Sequence, residues 1–116
     1  MHRMVAASLL VNIAVLVPVS IGMLLNADWA VQSYGGETPA RQILLSIYLA
    51  ILCASIGLLL RREEHGAITL LLVQIAYKVA TPFAVGTALH PVVMSNIAIA
   101  ALHTATVAVV LQRRAK

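Results

Sequence analysis

Four apolar blocks, each near twenty residues long, constrain this 116-residue chain more than any motif within it. They cover residues 4–25, 42–60, 67–89 and 92–112. A bilayer core takes about 20 apolar residues per helix, with a range of roughly 17–25. In lipid a single open segment can pair its own backbone only as a helix. The spacing therefore predicts an all-α membrane protein, a four-transmembrane-helix bundle built as one domain over residues 1–116. Composition points the same way: only 10% of residues are charged, against about 25% in soluble domains. So little polar surface cannot coat a water-soluble globule, and the lipid bilayer is the first expected partner.

The breaks between blocks carry their own chemistry. Thr38-Pro39 reads as an N-cap followed by proline at the first helical position. Arg61-Arg62-Glu63-Glu64-His65-Gly66 is a charged hairpin turn, and His90-Pro91 ends the third span because helix is disfavoured before proline. The first block is longer than the ~7–15 residues of a signal-peptide core, and Asn26-Ala27-Asp28-Trp29-Ala30 lacks a small-x-small cleavage pattern, so it is expected to be a retained span. The loop over residues 26–41 places Trp29 and Tyr34 in an interfacial belt and Gly35-Gly36 in a turn.

Basic residues set the expected orientation. Arg3, Arg61, Arg62, Arg113, Arg114 and Lys116 fall on one side of a four-span bundle, and only Arg41 falls on the other. The positive-inside rule then puts both termini in the cytoplasm, in a plasma or inner membrane, with residues 26–41 outside. The net charge of +4 sits at block ends and is not interleaved with aromatics, so nucleic acid is not an expected partner. Cys53, the single cysteine, reads as a small hydrophobe within an apolar run.

Lys78 is the strongest signal for function. It lies inside the third block, where a charge costs at least about 2.5–3.5 kcal/mol on insertion scales. Gln74, Lys78 and Thr81 share one helix face, as do Asn96 and His103 on the fourth span. Pro82 cannot donate to the carbonyl of residue 78, and Gly86 follows one turn later. Pro82 and Gly86 together read as a hinge beside the lysine. All four acids (Asp28, Glu37, Glu63, Glu64) lie outside the blocks, so Lys78 has no in-plane carboxylate in its own chain. The expected ligand or partner contacts are Lys78, Gln74, Tyr48, Asn96, His103 and Thr81. The expected helix-packing face is Ser46, Ala50, Cys53 and Gly57 on the second span, matched by Ala98, Ala101, Ala105 and Ala108 on the fourth.

Several chemistries lack their residues. Of the histidines only His103 is deep, which leaves no bis-histidine haem and no spaced ligand set for zinc. There is no glycine-rich phosphate loop and no acid within the spans for a nucleophile triad. No enzyme activity and no cofactor are expected. Length and span count are similar to those of the small multidrug-resistance transporters. Those proteins use a membrane-embedded glutamate where span one here offers only Asn12, and no family is assigned. The first functional reading is a non-enzymatic accessory protein or complex subunit, packing through its small-residue faces and its intramembrane lysine against a membrane-protein partner or a second copy. The alternative is a small oligomeric transporter or channel for an anionic or polar solute, with Lys78 at the site.

Overall fold

The computed structural model describes residues 1–87 and 89–115. Lys116, counted above among the basic residues, and Ala88, near the expected end of the third span, lie outside them. Five helices follow in order: α1 (Arg3–Leu24), α2 (Asp28–Tyr34), α3 (Pro39–Arg61), α4 (Glu64–Val85) and α5 (Pro91–Ala115). All but α2 are long and apolar enough to cross a membrane, and no strand occurs among the described residues.

Local chemistry fixes the helix ends. The Thr38 hydroxyl accepts from Arg41 N at 3.2 Å, with Pro39 opening α3. The Glu63 carboxylate caps α4 by accepting from Gly66 N at 3.1 Å. Arg62 ends α3 in the left-handed region at φ 51°. Gly86 ends α4 in the same region at φ 87°, a conformation that costs glycine little. The third span therefore stops at Val85 instead of residue 89, and Gly86 terminates the helix where a loosened interior was expected. α4 itself runs unbroken through Pro82.

The spans pack as antiparallel neighbours, α1 most closely on α3 and α4 on α5. Two apolar clusters form the core. Val5, Leu9, Ala67, Ile68, Leu71, Val107 and Val110 fill the half nearer the termini. Leu16, Met23, Ala30, Leu45, Tyr48 and Ile51 fill the half nearer α2. The described ends of the chain lie on one face, as four antiparallel spans require, and Glu64 at the start of α4 joins them. Its carboxylate accepts from His2 N at 3.1 Å and pairs with Arg113 and Arg114, each at 3.1 Å.

The opposite face is closed by α2, which the sequence had placed in a plain loop. Arg41, expected in that loop, sits in the first turn of α3 and is buried. Its guanidinium donates to Asn26 Oδ1 at 2.7 Å, to Gly35 O at 3.1 Å and to Met23 O at 2.8 Å. One side chain thus ties both ends of α2 to the end of α1. The indole of Trp29 lies against Gly22, where any Cβ would collide with it.

The small-residue faces point away from the bundle. Ser46, Ala50, Cys53 and Gly57 are all exposed, and a Cβ added at Gly57 would meet nothing. Ala98, Ala101, Ala105 and Ala108 are likewise exposed. The last three of these line an outward groove of about 640 Å³ beside Phe83, which is itself 84% exposed. These faces do not pack the bundle.

Candidate functional site

The site is built around Lys78, which is 5% exposed. It stands seven residues from the Val85 end of α4 and fourteen from Glu64. At 1.5 Å per residue it is about 10 Å below the α2 face, shallower than a span continuing to residue 89 would place it. Its ammonium lies over the Tyr77 ring, 5.5 Å from the centroid, a cation–π contact.

Pro82 shapes the backbone beside it. Lacking an N–H, Pro82 leaves the Lys78 carbonyl without its helical donor. The Thr81 hydroxyl takes that place at 2.6 Å, and Asn96 Nδ2 donates in turn to Thr81 Oγ1 at 3.4 Å. The freed carbonyl is therefore bonded to a neighbour on its own helix, and α4 is stitched to α5 at that level.

All three tyrosines of the chain converge here. Tyr34 from α2 meets Tyr48 from α3 edge to face, with centroids 6.0 Å apart and planes at 83°. It turns inward instead of joining the interfacial belt. Burial pushes the Tyr34 phenol above its ordinary value, which keeps it a neutral donor. Tyr34, Tyr48, Tyr77 and Asn96 border a cavity of about 20 Å³ beside Lys78, room for about one water. The same four side chains line a second space of about 280 Å³ on their other side, walled also by Leu44, Val85, Val92, Val93 and His90. A single polar partition thus separates the ammonium from a vestibule roofed by α2.

One turn deeper than Lys78 lies a polar layer. Gln74 is seven residues down α4 from Thr81, and His103 is seven down α5 from Asn96, so the Thr81–Asn96 bond sets them level. Asn12 on α1 is one turn above Ser8, and His103 is one turn above Thr106. Ser8 and Thr106 share a hydrogen bond of 2.8 Å, so Asn12 joins the same layer. Its Nδ2 donates to Ser55 Oγ on α3 at 3.2 Å. Each span thus contributes one buried polar residue. Asn12 and Ser55 share that hydrogen bond, whereas both polar atoms of the Gln74 amide and both ring nitrogens of His103 have no partner.

The six expected contact residues therefore share the interior of α3, α4 and α5. Lys78, Tyr48, Asn96 and Thr81 lie around the partition, with Gln74 and His103 below it. Sequence reasoning missed Tyr34, Tyr77 and Ser55. Tyr77 lies outside the face shared by Gln74, Lys78 and Thr81, since adjacent helical positions point about 100° apart. Ser55 is one serine in an apolar run, and its partner lies 43 positions away. No cluster of three histidines, cysteines or acids that could hold a metal occurs among the described residues. No protein family, curated protein or solved structure matches this chain.

Proposed function

We propose that this small integral membrane protein binds a small organic monoanion, its carboxylate at Lys78 and its apolar body among the vestibule tyrosines, as a non-enzymatic binding or transport protein. The observation that carries this is a buried ammonium with no carboxylate near it, one side-chain partition from a lined space. Burying an unpaired cation is costly, and an arriving anion offsets that cost. Phenols and the Asn96 amide supply neutral donors, and the aliphatic wall suits an apolar tail. The headgroup reaches Lys78 when the tyrosine partition turns aside. Access is from the α2 face, since the other half is filled by the apolar cluster around Leu9 and Leu71. Because Lys78 points into its own bundle, it is poorly placed to contact a partner helix.

Benzoate is a suitable probe. Equilibrium dialysis of the detergent-purified protein should give saturable benzoate binding, lost in Lys78→Met and retained in the lipid-facing control Cys53→Ala. Equal binding by Lys78→Met would sink the proposal.

A second reading rests on the outward small-residue faces of α3 and α5, which suit close approach by a second copy or by a partner helix. Mass measurement in native detergent tests it: a monomer would refute it. The proposed setting is a plasma or inner membrane with both termini cytoplasmic, on the basic bias of the terminal face. In a Cys53→Ala background, Gly36→Cys should react with an impermeant thiol reagent on intact cells. Reaction only after permeabilisation would reverse the orientation.

A further inference from the structure

The polar layer beneath Lys78 contains the strangest chemistry in the molecule. Gln74 and His103 are fully buried, level with each other, and carry four polar atoms with no hydrogen bond among them. Buried polar groups in native proteins are nearly always satisfied, and exceptions call for a missing ligand, a water or a functional state. A neutral imidazole has one donor and one acceptor to satisfy, while an imidazolium has two donors. The open acceptor at the same level is Gln74 Oε1.

We infer that His103 is a proton site coupled to the anion site, so that one organic monoanion at Lys78 and one proton at His103 bind together. The inference rests on the proposed reading of Lys78 and adds the proton to it. Gln74 is one turn below Lys78 on α4, and the Thr81–Asn96 register sets His103 level with Gln74, so His103 stands one turn below the ammonium. By register Asn12 on α1, Ser55 on α3 and Gln74 on α4 share its layer, with Ser8 one turn below and Lys78 one turn above. Lys78 is the one ammonium or guanidinium among these, and no carboxylate is among them. With the anion site empty, a proton on His103 would add a second cation beside the ammonium, and in an interior of low dielectric the two repel strongly. An anion seated on Lys78 cancels that repulsion. The imidazole then takes a proton onto its free ring nitrogen and donates to Gln74 Oε1. Linkage makes the effect reciprocal: the proton tightens the anion by the same factor that the anion tightens the proton.

The proton shares the anion's route. Toward the termini the layer is closed by Val5, Leu9, Leu71, Val107 and Val110, all buried, whereas the α2 side leads through Lys78 and Asn96 to the vestibule. The pair that enters is electrically neutral overall, which suits a site inside a membrane. No bond beyond N–H is made or broken: the proton comes from bulk water and resides on His103.

Calorimetric titration of the full chain in detergent with benzoate, in two buffers of different protonation enthalpy, counts the protons taken up. The wild type should take up close to one proton per benzoate. Its affinity should fall as pH rises, by up to about tenfold per pH unit, wherever His103 is protonated in the complex but not in the free protein. At acidic pH, where Lys78 stays charged, His103→Gln should still bind benzoate, with no proton uptake and a flat pH profile. His103→Asn serves the same purpose if the first variant does not fold. Wild-type binding without proton uptake would overturn the coupling. Undiminished uptake in the His103 variants would place the proton elsewhere and overturn the assignment. No benzoate binding by the wild type would instead reject the Lys78 site, and this inference with it.

Discussion

The Thr81 hydroxyl donates to the main-chain carbonyl of Lys78 at 2.6 Å, filling the acceptor that Pro82 leaves without its helical donor. Thr81 Oγ1 in turn accepts from Asn96 Nδ2 at 3.4 Å, so a proline defect in α4 becomes a joint between α4 and α5. A site residue on each helix is held by this joint, Lys78 on one and Asn96 on the other.

Removing the hydroxyl should expose that defect. Thr81→Val keeps the shape of the side chain but leaves the half-buried carbonyl unpaired, at a cost of about 1 kcal/mol or somewhat more. The melting temperature of the detergent-purified protein should drop by about 3–6 °C, and Thr81→Ser should restore most of it. An unchanged melting temperature in Thr81→Val would show that water or a backbone shift satisfies the carbonyl equally well.

Arg41 should matter far more. Its buried guanidinium bonds Asn26, Gly35 and Met23 at once, and hydrogen bonds to charged groups contribute about 1.5–3 kcal/mol each. Arg41→Met should therefore destabilise the protein by several kcal/mol and release α2. Chymotrypsin should cut at Trp29 or Tyr34 many times faster than in the wild type. Slow cleavage in the variant would show that the packing of Trp29 on Gly22 holds α2 unaided.

The terminal clasp should behave differently. Glu64 pairs with Arg113 and Arg114 at the surface, where ion pairs are worth roughly 0–1 kcal/mol and are screened by salt. Glu64→Gln should barely change the melting temperature but should speed tryptic trimming after Arg113 and Arg114. High salt should bring the wild type close to the variant. Equal trimming rates at low salt would remove the clasp from the fold.

The spans were legible because lipid imposes a length and a hydropathy that local sequence states directly. The shared inward face of Gln74 and Lys78 was legible from helical period alone. The end of α4 was not: the apolar run continues past residue 85, and a single left-handed glycine at position 86 decides it. Seven residues of α2 were too short to show a period. The Ser46, Ala50, Cys53 and Gly57 stripe named a smooth face without naming its neighbour, since small residues suit a close helix inside or outside the bundle. The polar layer was hidden for a simpler reason. Asn12, Ser55, Gln74 and His103 become one feature only when four antiparallel registers are fixed, and no local pattern encodes those registers.

The organic-anion site is tested most directly by locating an anion in it. Crystals of the detergent-purified protein grown with 4-bromobenzoate give the bromine position by anomalous scattering. The carboxylate should lie within about 3 Å of Lys78 Nζ, the distance of a charge-assisted hydrogen bond, with the bromine among Tyr34, Tyr48 and Tyr77. A bromine found only in the outward groove beside Phe83 and Ala105, with Lys78 still facing Tyr77 alone, would contradict it.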